Sequence, residues 1–217
     1  MGAMFVKLRF SAIAVVLFAA CSIGASSPAY ASSLSAHPSP PVGALQIPMY
    51  SVSATGITVE PSGSALVHLS NGAAVTVPIS VAQRLIQDNL VNPNAGPTPD
   101  NTVYGTCGYS WVYISPDSNN SGVQGLTGFD VYSTVIGQAY YTEWAVSTQN
   151  TSFNRTQVDE WGEGVSNYWE VSFYAILGLG IYDSSVVAPQ GYPESVVFGT
   201  SGICYSTGPT DYGVLVS

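Results

Sequence analysis

Charge is what this chain has least of, positive charge above all, and the shortage excludes whole classes of partner. Only 8% of its 217 residues are charged, and 4 bases stand against 13 acids. Nucleic acids are held by clustered Lys and Arg that displace condensed counterions, and anionic membrane surfaces attract the same clusters. Neither partner is expected here. Histidine is as scarce, with His37 in a Pro-rich stretch and His68 in a short strand pattern. That leaves a nucleophilic triad without its base, and the cysteines and histidines show no zinc-ligand spacing. No Gly-x-Ser-x-Gly elbow, phosphate loop or dinucleotide fingerprint occurs, so no metal and no cofactor are expected. Long hydrophobic runs are missing too. The most apolar stretch, Phe10 to Ala20, falls short of the roughly 20 residues that a membrane-spanning helix needs.

That stretch carries a different meaning. Lys7 and Arg9 precede it, and Ala29-Tyr30-Ala31 supplies the small-x-small pattern of a signal-peptidase site, which together predict a secretion signal over residues 1–31. The alternative reads Phe18-Ala19-Ala20-Cys21 as a lipoprotein cleavage site, with the chain lipid-anchored at Cys21. Cleavage after Ala31 removes both early bases and one of the three cysteines. Arg84 and Arg155 then face all 13 acids, a formal charge of −11, and Cys107 and Cys204 allow a single intrachain pairing. An exported chain meets an oxidising environment, so that pair is expected to be a disulfide. Its residues stand 97 positions apart, and closing such a loop stabilises a fold by on the order of 4 to 5 kcal/mol in the chain-entropy model.

Beyond the signal, residues 32–56 are rich in Ser, Pro and Ala and are expected to form a flexible arm. Residues 57–91 read as a small module. Short β-rich runs flank Pro61-Ser62-Gly63 and Asn71-Gly72, the second being a strong hairpin signal because both residues tolerate positive φ. Ser80 stands where a helix N-cap belongs, and Val81, Leu85, Ile86 and Leu90 follow at helical spacing. Residues 92–102, with Pro93, Pro97 and Pro99, read as a linker. From 103 to 217 the pattern is β, with strands expected near 108–114, 128–136, 139–147, 167–182, 194–199 and 212–216 and no helix. The fold class that follows is mostly β: an antiparallel β-sandwich closed by one disulfide, preceded by a small meander plus one short helix.

Two of those strands set a glutamate and tyrosines opposite a tryptophan. In 139–147, period-two alternation puts Tyr140, Thr142, Trp144 and Val146 on one side and Tyr141 and Glu143 on the other. In 167–182, Trp169, Val171, Phe173, Ala175 and Leu177 share one side; Tyr168, Glu170, Ser172, Tyr174 and Ile176 share the other. The tryptophan sides are expected to face the core. Should the strands align, Glu143 and Glu170 would share a groove lined by Tyr141, Tyr168 and Tyr174, the paired-carboxylate arrangement of glycoside hydrolysis. The plainer alternative is that both glutamates are solvated neighbours of strand-forming tyrosines. Elsewhere, Asp159-Glu160-Trp161-Gly162-Glu163 reads as a solvated turn. Asp117 to Gly122 imitates the opening of a calcium loop, but Gly128 stands where the closing glutamate belongs. Asn119, Asn150 and Asn154 each begin an Asn-x-Ser/Thr sequon.

In size and composition the mature chain resembles secreted jelly-roll xylanases, whose nucleophile lies in a Glu-Tyr-Tyr context; Ala139-Tyr140-Tyr141 has alanine at that place. Through Cys107-Gly108-Tyr109-Ser110 and Gly202-Ile203-Cys204, residues 103–217 resemble uncharacterised secreted proteins of high-GC Gram-positive bacteria. The resemblance implies bacterial export and carries no activity with it. The function expected is a binding or surface-associated module with a carbohydrate or cell-surface ligand. The alternative is a carboxylate-dependent secreted hydrolase of glycosidase type using Glu143 and Glu170.

Overall fold

The computed structural model describes residues 40, 42–94, 106–162, 166–187 and 195–217. The signal segment, Cys21, His37, most of the expected linker and Glu163 lie outside the described residues. The first strand, β1 (Ile47–Val52), departs from the sequence reading, since it falls within the expected flexible arm. It pairs antiparallel with β12 (Ile203–Ser206) on one side and β5 (Thr106–Pro116) on the other. Both partners are remote in sequence, and composition gives no sight of them. Pro48 is tolerated because pairing with β12 begins only at Met49, and the Pro48 carbonyl accepts a bond from Thr207 Oγ1 at 3.1 Å.

The small module follows as expected. Strands β2 (Ala54–Val59), β3 (Ser64–Leu69) and β4 (Ala74–Pro78) form an antiparallel meander, turning at Gly63 (φ 87°) and Gly72 (φ 89°). Helix α1 (Ile79–Gln87) comes next, entered from Pro78 with no side-chain cap, so Ser80 does not cap it. It buries Val81, Ala82 and Leu85, while Ile86 stays 59% exposed, one position off the expected apolar stripe.

The remaining strands are β6 (Val123–Val131), β7 (Ala139–Asn150), β8 (Arg155–Gly162), β9 (Tyr168–Ala175), β10 (Gly180–Val187), β11 (Val196–Gly199) and β13 (Thr210–Val216). With β1, β5 and β12 they make a ten-stranded sheet in the order β13-β10-β7-β11-β12-β1-β5-β6-β9, with β8 on the other edge of β7. A four-residue helix, α2 (Ser133–Ile136), joins β6 to β7 where only strand was expected. The run 167–182 breaks into two strands, and the acidic stretch from Asp159 is the end of a strand, not a turn. β10 and β11 lie end to end along one edge of β7, opposite Ala145–Asn150 and Ala139–Glu143. Ser195 closes the join: its hydroxyl accepts from the Ala145 N–H at 2.9 Å and donates to the Val187 carbonyl.

The sheet folds over itself as a sandwich. Phe129 on β6 and Trp169 on β9 meet Trp144 on β7 at ring distances of 5.2 and 6.1 Å, and Asp211 on β13 accepts the Ile114 N–H of β5 at 2.8 Å. Trp144 and Val146 of β7 and Trp169 and Phe173 of β9 face the core as expected, but Tyr140, expected on the Trp144 side, packs toward the module with Arg84 of α1 4.6 Å over its ring. Several hydroxyls buried in the core are paired, as in Trp144 Nε1–H to Thr127 Oγ1 (3.0 Å) and Ser110 with Ser206 (2.9 Å), whereas the buried Thr142 Oγ1 has no partner among the described residues. β6 makes room with two glycines: a Cβ on Gly125 would meet the Phe173 ring inside, and one on Gly128 would meet the Trp111 ring at 2.8 Å and the Trp169 carbonyl at 2.3 Å.

Cys107 and Cys204 form the disulfide, with Cα atoms 5.9 Å apart, tying β5 to β12 inside this core. β11 and β12 are buried at every residue, because the module packs on their second face. Val196, Phe198, Ile203 and Tyr205 meet Val67, Val77 and Leu85 in a second core. Three layers result: the module, the β7-β11-β12-β1 face, and β5-β6-β9. Among the described residues no helix is long and apolar enough to cross a membrane.

Candidate functional site

Glu143 and Glu170 are not brought into one groove. Each lies opposite a tryptophan of its own strand, and those tryptophans, Trp144 and Trp169, meet across the core. The two carboxylates are therefore carried on opposite outer faces of the sandwich. Glu143 sits beside Gly162 of β8 and accepts a bond from the Tyr141 hydroxyl. Burial pushes its carboxyl above the usual range; the Tyr141 bond opposes this and Glu160 adds to it. Tyr141 itself is buried against Phe198, at 6.0 Å between rings, and offers no stacking surface.

Tyr168 and Tyr174 do share a face with Glu170, and that face is larger than the sequence suggested. In register across β5, β6 and β9 lie Tyr109, Asp130 and Tyr168; then Trp111, Gly128 and Glu170; then Tyr113, Leu126 and Ser172; then Ser115, Gln124 and Tyr174. The alternate residues, among them Val112, Ile114, Phe129 and Phe173, point into the core. Tyr132 extends the first row, its ring edge-on to Tyr109 at 6.0 Å, and burial with the Tyr109 hydroxyl bond pushes it up to about 12. Trp111 lies across Gly128 and under Tyr168, at 5.8 Å between rings; it is fully buried, and its Nε1–H has no acceptor among the described residues. The Tyr168 hydroxyl reaches Glu170 at 3.4 Å, and burial, then Glu170, raises that phenol.

At the far end the face opens into a groove of about 270 Å³ lined by Tyr113, Ser115, Gln124, Leu126, Ser172 and Tyr174. Tyr174 is 60% exposed. The strands of this face carry no Lys or Arg. Rings for stacking, hydroxyls and an amide for hydrogen bonding, and carboxylates with no base beside them make a surface suited to polyhydroxylated ligands. The Tyr-x-Trp-x-Tyr alternation of Tyr109, Trp111 and Tyr113 was the available signal for the β5 contribution.

The other candidates find local uses. Asp117 closes its own turn, its Oδ1 accepting the Ser121 N–H and its Oδ2 the Ser121 hydroxyl, both at 2.7 Å; the Ser121 hydroxyl bond leads in holding its carboxyl low. His68 is half-buried on β3 and bonds Thr58 Oγ1 at 3.2 Å. Among the described residues no group of three His, Cys, Asp or Glu is placed to hold a metal ion. Of the sequons, Asn150 is fully buried with its amide on the carbonyls of residues 177–179, whereas Asn119 and Asn154 are exposed in turns. A smaller cavity of about 190 Å³ lies where the module meets the sheet, between Ser51, Leu90, Val135 and Ser201. No family model, no curated protein and no solved structure matches the chain.

Proposed function

We propose that the mature chain is an exported binding module that holds a carbohydrate polymer on the open face of β5, β6 and β9. The observation that carries this reading is the groove framed by Tyr113 and Tyr174, with Ser115, Gln124 and Ser172 between them. An exposed sheet face made of rings and short polar side chains binds sugar rings by stacking and hydroxyls by hydrogen bonds, at little conformational cost. The face runs from Tyr168 to Tyr174, about 20 Å at the rise of a strand, which suits an oligomer better than a single sugar. Export agrees with the buried disulfide, which persists in oxidising compartments. Binding is favoured over hydrolysis because Glu143 and Glu170 stand on opposite outer faces, and paired-carboxylate catalysis needs both on one glycosidic bond.

The test is affinity electrophoresis of the mature protein through gels carrying soluble polysaccharides, with product analysis for hydrolysis. Retardation without turnover is expected, weakened about thirtyfold in a Tyr113→Ala/Tyr174→Ala chain, since each ring contributes on the order of 1 kcal/mol. Retardation unchanged in that chain would sink the assignment of the face, and hydrolysis lost with Glu143→Gln would restore the enzymatic alternative.

A further inference from the structure

We infer that this face selects amine-bearing sugars, polymers of glucosamine type with free amino groups, over neutral or N-acylated ones. The inference rests on the carbohydrate reading above and names the ligand class within it. Three observations point the same way. Glu170 is exposed in the middle of the ring-lined rows, next to the groove residue Ser172, so a ligand stacked on Tyr174 and running toward Tyr168 passes over a carboxylate. No base lies on β5, β6 or β9 to compete for it, and the described strong bases, Arg84 and Arg155, sit on α1 and β8. The rings themselves attract cations through their faces.

An ammonium group on such a ligand gains an exposed ion pair and a ring contact, and the whole acidic chain raises its local concentration. A neutral sugar stacks on the rings but gains neither the ion pair nor the cation contact, and an N-acyl group likewise removes the charge and leaves the ring to stack.

The experiment is calorimetric titration of the mature protein with a β-linked glucosamine oligomer and with its fully N-acetylated counterpart of equal length, at a pH where the free amines are protonated. The amine oligomer is expected to bind about three- to tenfold more tightly, with a preference that shrinks as salt is raised. Glu170→Gln should bring the two affinities together, while Tyr174→Ala should weaken both alike. Equal affinities in the wild-type chain, or a preference untouched by Glu170→Gln, would overturn the inference and leave the carbohydrate reading standing. Binding of a neutral polysaccharide with no binding of either oligomer would do the same. Failure of every sugar to bind would remove both.

Discussion

The two outer surfaces of the sandwich are built from similar strands and meet opposite fates. β11 and β12 present Val196, Phe198, Ile203 and Tyr205 outward, and these are covered by the small module. β5, β6 and β9 present Tyr, Ser, Gln, Glu and one fully buried Trp, and the structure describes no second core over them. A sheet buried on both faces reads as unbroken apolar runs, Val-Val-Phe and Ile-Cys-Tyr here, whereas a sheet buried on one face alternates. Which surface needs a cover is thus written in the outward residues. The module covers the first surface, and the uncovered one is the surface proposed above for a ligand.

The contrast can be broken first at the covered surface. Phe198→Ala should cost about 3 to 5 kcal/mol in urea unfolding, because a buried ring packed on Tyr141 leaves a cavity between two layers. A loss under about 1 kcal/mol would mean that the module is not packed on the sheet. The open surface has one tight point, Gly128. Gly128→Ala should cost about 1 to 3 kcal/mol and alter the near-ultraviolet dichroism of Trp111, since the added methyl has no room beside that ring. Unchanged stability and dichroism would show that the indole does not lie across β6.

The smallest effect is one of sign. Burial holds the Glu143 carboxyl above its ordinary 4.5, so the folded chain binds that proton more tightly than the unfolded chain. Stability from this group is complete below 4.5 and is lost as pH rises through the folded value. Glu143→Gln should therefore unfold at slightly higher denaturant than wild type at pH 7, with the difference closing in acid. A destabilised variant at neutral pH would show instead that the bond from Tyr141 outweighs burial.

The β class, the cysteine pairing, the meander and the short helix were legible because each has a local signature: Asn71-Gly72, apolar spacing in 81–90, and alternation around Trp144 and Trp169. β1 was hidden because Pro48 and a Ser- and Pro-rich neighbourhood mask a strand whose partners, β5 and β12, are both remote in sequence. β8 was hidden because it is an edge strand paired only with β7, so its acids stay solvated and imitate a turn. The Glu143 and Glu170 groove failed for a further reason. Period-two alternation tells which residues share a face of one strand, but not that two strands turn those faces away from each other across a common core. The same alternation did group Tyr168, Glu170 and Tyr174, and the face became visible once β5 and β6 supplied its other rows.

Amide chemical-shift mapping of the mature protein, titrated with whichever oligosaccharide binds, addresses the open face most directly. Perturbations should gather on Tyr113, Gln124, Leu126, Ser172 and Tyr174. Perturbations gathered instead on Ser51, Leu90 and Ser201, around the smaller cavity under the module, would contradict the account.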